Sequence, residues 1–237
     1  MNAKKKAVVI TGASRGIGKA ISEELAKAAL SFEVVVMIAR KSDAFDQTFA
    51  DISKIAGGCE IVRIEADLSN PEITTEIFDA LERQNIEVET LINNAGFTKP
   101  ASIGEMLMDD FERTMRVNLY SPFKMIQTAL HRGQALKRVI NIGSTAGING
   151  RAGWLSYSAS KAALINMSEV LRDELKPLGV EVICLSPGRC ATDLRKQLAP
   201  TEDPKTIMQP EQVAKIVSLM MTDTGALLSS ESLVVRA

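Results

Sequence analysis

Tyr157 and Lys161 stand four residues apart in Tyr-Ser-Ala-Ser-Lys, thirteen residues after Ser144. On a helix, that spacing sets both side chains on one face. An isolated phenol titrates near ~10 and exchanges protons poorly at neutral pH, whereas a neighbouring ammonium favours the phenolate and frees the proton. Far upstream, residues 11–18 read Thr-Gly-Ala-Ser-Arg-Gly-Ile-Gly. Glycines there allow a tight turn and close backbone approach, and a following helix offers unpaired N–H groups and a positive dipole end to phosphates. A proton donor and a dinucleotide cradle in one chain point to hydride transfer to or from a carbonyl.

These residues need elements to hold them. Short, continuously apolar runs at 7–10, 34–38, 61–64, 88–92, 138–142, 180–185 and 233–235 alternate with amphipathic stretches at 16–29, 43–56, 71–84, 109–130, 156–176 and 210–221. Unbroken apolar strands are those covered on both faces, and a β–α alternation predicts right-handed crossovers. The expected fold is α/β: a single-domain, Rossmann-type, doubly wound parallel sheet of about seven strands, helices on both faces. Asn70-Pro71 and Gln209-Pro210 read as helix starts, and Pro177-Leu178-Gly179 as a stop. Residues 189–209 read as a substrate loop with room for one short helix. No linker divides the chain, so residues 1–237 are expected to form one dinucleotide-binding catalytic domain.

The glycine spacing, Gly12, Gly16 and Gly18, departs from the ordinary Gly-x-Gly-x-x-Gly. It resembles the Thr-Gly-x-x-x-Gly-x-Gly of the short-chain dehydrogenase/reductase family. Further motifs follow in that family's order: Asn93-Asn94-Ala95-Gly96 after the fourth strand, Asn118 in Val-Asn-Leu, Ser144 after the fifth, Tyr157 and Lys161, then Pro187-Gly188 with Thr192 beyond. The resemblance implies an NAD(P)-dependent enzyme acting on CH-OH and C=O groups. Tyr157 is then the general acid in reduction, and Ser144 polarises the carbonyl. It also implies that Lys161 holds the nicotinamide ribose and that Asn118 anchors a water relaying protons from the lysine. Cofactor contacts are expected from Gly12, Ser14, Arg15, Gly16, Ile17, Gly18, Arg40, Asp67, Leu68, Asn94, Ala95, Gly96, Tyr157, Lys161, Pro187, Gly188 and Thr192. Asp67 matches the residue that meets the adenine; capping the next turn is its other role.

The second strand runs into Arg40-Lys41-Ser42, with no acid before Asp43. An acid at that place would favour a ribose 2′-hydroxyl, whereas Arg40, with Arg15 from the glycine loop, favours a 2′-phosphate. NADP(H) is therefore expected over NAD(H), unless both arginines are solvated loop charges. The carbonyl substrate is expected among Phe97, Thr98, Ile148, Asn149, Arg151, Trp154, Arg189 and Cys190. Trp154 either stacks on substrate or packs on the helix start. Arg151 and Arg189 suit an anionic group, such as a phosphate, a carboxylate or carrier-linked phosphopantetheine, or are solvated charges.

The motifs resemble those of 3-oxoacyl-carrier-protein reductases, but the ending Glu-Ser-Leu-Val-Val-Arg-Ala departs from that subgroup. It is closer to broad carbonyl reductases and to enzymes of polyol or sugar phosphates. A non-catalytic NADP(H) sensor would need the cradle but not the acid, and a nucleotide-sugar epimerase would need more chain after Pro187. The chain has 237 residues, 46% of them hydrophobic and 4% aromatic, which allows a large aliphatic core. A formal charge of −1 gives no footprint for nucleic acid. The three cysteines and the single His131 form no metal spacing, so no metal is expected. No apolar segment reads as a signal or membrane span, and a cytoplasmic protein is expected. The apolar positions Leu164, Ile165, Met167, Val170, Leu171 and Leu175 cover more than one face of their helix; in the family the chain resembles, this helix forms part of a two-fold interface, and the resemblance implies a homodimer or homotetramer.

Overall fold

Ala7, Val8, Val9 and Ile10 are all fully buried, although successive side chains of a strand point to opposite faces. Both faces of their strand, β1 (Lys5–Thr11), must therefore be covered. Val8 and Ile10 join one apolar cluster with Ile21, Leu25, Val213 and Val217. Ala7 and Val9 join the other, with Phe78, Leu81, Met125 and Leu175. Each large side chain so buried contributes about 1.5–3 kcal/mol, which is why the strands read as unbroken apolar runs.

The computed structural model describes residues 3–28, 31–228 and 232–236. The expected first helix ran to residue 29, and the distinctive ending includes Glu231 and Ala237; those three positions lie outside the described residues. The other strands are β2 (Val34–Ala39), β3 (Glu60–Glu65), β4 (Ile86–Asn93), β5 (Arg138–Ile142), β6 (Glu181–Pro187) and β7 (Ser232–Val235). They lie in the order β3-β2-β1-β4-β5-β6-β7, and every adjacent pair is parallel. The winding reverses between β1 and β4. In such a sheet, ligands bind at the carboxyl ends of the strands, at that switch point.

The α-helices among the described residues are α1 (Gly16–Lys27), α2 (Asp43–Ile55), α3 (Ile73–Arg83), α4 (Met108–Met115), α5 (Ser121–His131), α6 (Thr145–Ile148), α7 (Leu155–Leu175), α8 (Asp193–Leu198), α9 (Pro210–Met220) and α10 (Asp223–Ala226). The α1 and α9 helices cover one face of the sheet, and α3, α5 and α7 the other. No helix among the described residues is long and apolar enough to cross a membrane.

The sequence pattern predicts one helix over 109–130; the structure interrupts it with a π-turn, Arg116–Tyr120. The cause is Asn118, which has no exposed surface. Its Oδ1 accepts from the Phe97 N–H (2.8 Å), and its Nδ2 donates to the Phe97 carbonyl (3.0 Å) and to Ser160 Oγ (2.9 Å). One widened turn seats the amide against the segment leaving β4, and such turns recur at functional sites. Asn70-Pro71 forms a turn before α3 rather than its first residues, with the Asn70 side chain accepting from the Glu72 N–H at 3.2 Å. Gly179, at φ 71°, ends the short 3₁₀ turn that closes α7. Residues 189–209 contain α8, whose N-terminus is capped by the Thr192 hydroxyl accepting from the Arg195 N–H at 3.1 Å.

Candidate active site

The floor of the site is stitched from two strand ends. Thr11 Oγ1, at the end of β1, donates to the Ile92 carbonyl (3.4 Å) and accepts from the backbone N–H groups of Asn94 (3.0 Å) and Ala95 (3.1 Å). In return Asn94 Nδ2 donates to the carbonyls of Thr11 (2.9 Å) and Gly12 (3.3 Å). The glycine loop is thereby locked to the segment after β4. Gly18 is where this close approach excludes a side chain, since a Cβ would collide with the Gly12 carbonyl and the Asn94 amide.

Above this floor lies a cavity of about 550 Å³. Gly12, Ser14, Arg15, Gly16 and Ile17 line it at one end, with Arg40, Asp67, Leu68, Asn94, Ala95 and Gly96 beside them. Ser144, Tyr157, Lys161, Pro187, Gly188 and Thr192 line the rest. Two of the residues predicted for catalysis or cofactor binding stay off the wall: Gly18 lies beneath the loop, and Asn118 is buried behind Phe97. The chain's near-zero net charge is unevenly spread. Among the described residues, Arg15, Arg40, Lys41, Arg113, Arg151, Lys161, Arg189 and Arg195 face the cavity against only Asp67 and Asp193. A concave surface of one sign concentrates anions.

Asp67 serves in its turn as well as on the wall: its Oδ1 accepts from the Ser69 N–H at 2.9 Å. Partial burial raises its carboxyl, but Ser69 and the Arg40 and Arg113 guanidiniums outweigh that and hold it below the usual carboxylate range. Arg15 reaches across the cleft to Asp193 at 3.3 Å, and both side chains are more than half exposed. Such a pair is weak, so Arg15 is readily recruited by a stronger anion.

The reacting groups come from β5 and α7. Ser144 follows β5 and caps α6, its Oγ accepting from the Ala146 N–H at 3.1 Å. Gly147 lets α6 lie on α7, since a Cβ there would sit 2.6 Å from the Lys161 carbonyl carbon. That packing sets Ser144 and Tyr157 on one wall of the cavity. Behind them, a buried relay fixes α7 to the sheet: Asn93 Nδ2 donates to Asn141 Oδ1, and Asn141 Nδ2 to Ser168 Oγ, each at 2.9 Å.

Burial pushes the Tyr157 phenol above its ordinary value, opposed by the Ser144 hydrogen bond and the Arg195 charge. The sequence pairs Tyr157 with Lys161, yet the Lys161 Nζ donates to the Ile142 carbonyl at 2.7 Å. Arg195, a residue the motif does not contain, adds a positive charge that favours the phenolate. Burial lowers the Lys161 ammonium to about 8, against a smaller opposing effect of Cys184.

At the far end, the expected substrate wall is partly rearranged. Phe97, Thr98, Arg151, Trp154, Arg189 and Cys190 line the cavity, but Ile148 and Asn149 do not. The α6 helix ends there and turns outward, leaving Ile148 48% exposed. Their place is taken by Leu194, Arg195, Gln197 and Leu198 of α8, and Arg113 joins from α4. Arg113 lies over the Phe97 ring at 4.6 Å. Trp154 is flanked by Arg151 at 5.4 Å and Arg195 at 5.3 Å. The only advance signal for α8 is Thr192-Asp193, a helix-start pair. A second cavity, about 590 Å³, lies between α1, α8 and α9 and includes none of Ser144, Tyr157 or Lys161.

Residues 6–203 match the family model described as short chain dehydrogenase. A 3-oxoacyl-(acyl-carrier-protein) reductase of Synechocystis sp. is 34% identical over 92% of this chain and 90% of its own. One from Vibrio cholerae is 31% identical over 98% and 96%. Among solved structures, a short chain dehydrogenase from Burkholderia cenocepacia in complex with NADP superposes with a TM-score of 0.85 at 26% identity, covering 99% of this chain and 98% of its own. A blue fluorescent protein from a metagenomic library, in complex with NADPH, gives 0.84 at 29% identity, with the same coverage.

Proposed function

Because the chain belongs to the short-chain dehydrogenase family, an NAD(P)-dependent group of oxidoreductases, we propose that it reduces a ketone or aldehyde to an alcohol with NADPH. The observation that carries this reading is the placement of Ser144, Tyr157 and Lys161 on one wall of a cavity that continues, over the floor made by the ends of β1 and β4, to the glycine loop. That floor and the surrounding cations fit a phosphorylated dinucleotide. Residues 12–17 would hold its diphosphate, Arg40 and Arg15 its 2′-phosphate, Asp67 and Leu68 its adenine, and Lys161, Gly188 and Thr192 its nicotinamide half. Bound there, NADPH supplies a hydride to the carbonyl carbon.

The chain's own residues handle the oxygen. Ser144 donates a hydrogen bond to it and fixes its position. The Tyr157 O–H bond breaks as the new alcohol O–H forms, leaving a phenolate that must be reprotonated. A phenol raised by burial stays protonated at neutral pH, as an acid must. An ammonium near 8 exchanges protons readily in that range, which suits Lys161 to restore the proton. Both N–H donors of Asn118 are committed to Phe97 and Ser160, so a relay water there would be held by the backbone of the π-turn.

For the finer substrate, an anionic carbonyl compound or a 3-oxoacyl thioester is proposed, the first favoured by Arg151, Arg189 and Arg195. Residues 189–209 are assigned as the substrate loop of a single catalytic domain. A homo-oligomer is proposed from the exposed apolar side chains of α5 and α7, Phe123, Leu155 and Val170; sedimentation showing only monomer at micromolar concentration would refute it. The function is tested by following NADPH absorbance with acyl thioesters, keto acids, keto sugars and their phosphates. Oxidation with at least one class is expected. Tight NADPH binding without any oxidation would mark a sensor instead.

A further inference from the structure

Glu202 and Arg195 form a forked pair at the substrate end of the cavity. Arg195 Nε donates to Oε2 at 2.6 Å and Nη2 to Oε1 at 2.8 Å, with Arg189 Nη1 at 3.4 Å from Oε1. The side chains of Arg195 and Glu202 are only 14% and 16% exposed. Planar two-point contact is how a guanidinium grasps a carboxylate or phosphate. The position is also close to the chemistry, since Arg195 lines the same cavity as Ser144 and Tyr157 and lies over the Trp154 ring.

We propose that Arg195 is the seat for an anionic group of the substrate, and that Glu202 occupies it until the substrate's own carboxylate or phosphate takes its place. This rests on the carbonyl-reductase reading and names its substrate class. Three features support exchange rather than a permanent tie. Burial of Arg195 means its charge must always meet some anion, because stripping one partner from a buried pair is costly. Glu202 lies between α8 and the 3₁₀ turn Pro204–Thr206, outside regular structure. It also borders the second cavity, of about 590 Å³, which gives the displaced carboxylate space. The Trp154 indole, between Arg151 and Arg195, then offers a flat apolar surface for the carbon skeleton that joins the anion to the carbonyl.

The test compares matched substrates: acetoacetate with its methyl ester, and dihydroxyacetone phosphate with dihydroxyacetone. The charged member of at least one pair is expected to have the higher kcat/KM, and which pair does so separates carboxylate from phosphate. Glu202→Gln should raise that charged-to-neutral ratio several-fold by removing the resident anion, and Arg195→Met should lower it about 10- to 100-fold. Taking the ratio cancels any effect of Arg195 on the Tyr157 proton. If Glu202→Gln lowers kcat/KM equally for both members, or Arg195→Met leaves the ratio unchanged, the pair is only a structural tie and the proposal fails. A binding readout stands apart from turnover, because Trp154 is the chain's only tryptophan. Its fluorescence should respond saturably to acetoacetate or inorganic phosphate in the native protein and not in Arg195→Met. No response in either protein overturns the anion seat. A response without reduction of any ketone would instead sink the reductase reading alone.

Discussion

Thr11 and Asn94 hold the cofactor end of the cavity through five hydrogen bonds to backbone, at 2.9–3.4 Å. Arg195 and Glu202 hold the substrate end through one pair of opposite charges. The first arrangement has a single geometry: every donor and acceptor in it belongs to β1, β4 or the turns that leave them. The second depends on two long side chains of a short helix and the loop after it, and any suitable anion can substitute for one of them. A cofactor common to many reactions calls for the first kind of construction. A substrate peculiar to one reaction can be chosen by the second.

The largest effect should come where the two ends meet. Tyr157→Phe removes the proton that the carbonyl oxygen must receive and should cut kcat by about 10²–10⁴. NADPH affinity, measured by fluorescence titration, should scarcely change, because the cradle is untouched. A loss of binding equal to the loss of turnover would contradict the division drawn here. Next in size, Gly18→Val forces a side chain into the Gly12 carbonyl. It should lower thermal stability by about 1–3 kcal/mol and weaken NADPH binding, while a matching substitution in α8 should not. Arg40→Asp should raise the KM for NADPH about 10- to 100-fold, as expected for one charge-assisted contact, with a far smaller change for NADH. Equal losses for both cofactors would show that Arg40 is not at the 2′-phosphate.

The smallest effect is one of pH. With the phenol raised by burial, Tyr157 is protonated throughout the neutral range. Reduction, which needs the protonated phenol, should therefore be flat at neutral pH and begin to fall as Lys161, which restores its proton, loses its own near 8. Alcohol oxidation needs the phenolate and should climb steadily with pH. Arg195→Met withdraws a charge that favours the phenolate, so it should move the oxidation profile to higher pH. A shift to lower pH would contradict the effect of the Arg195 charge on the phenol.

The same contrast explains what could be read from residues alone. The glycine loop, Asn94, Ser144, Tyr157 and Lys161 are legible because backbone approach and helical spacing restrict which residue types fit. The parallel sheet is legible because burial on both faces leaves apolar runs without alternation. Arg195 is not, since its partner Glu202 lies seven residues away, a distance that only the fold of residues 189–209 brings together. Arg113 is hidden for a similar reason: on α4 it reads as one more helix-surface cation until Phe97 packs beneath it. The π-turn at Asn118 escapes notice because its cause, the Phe97 backbone, is remote in sequence. Ile148 and Asn149 are misplaced because α6, a short helix that no periodicity announces, ends there and leaves Ile148 exposed.

The most direct measurement uses NADPH deuterated at its transferring carbon, together with whichever carbonyl compound the panel shows to be reduced. The alcohol should carry one deuterium on its carbinol carbon, in equal amount to the NADPH consumed, and Tyr157→Phe should form almost none while still binding the cofactor. Consumption of NADPH without deuterium in the alcohol, or undiminished deuterium transfer by Tyr157→Phe, would contradict the account.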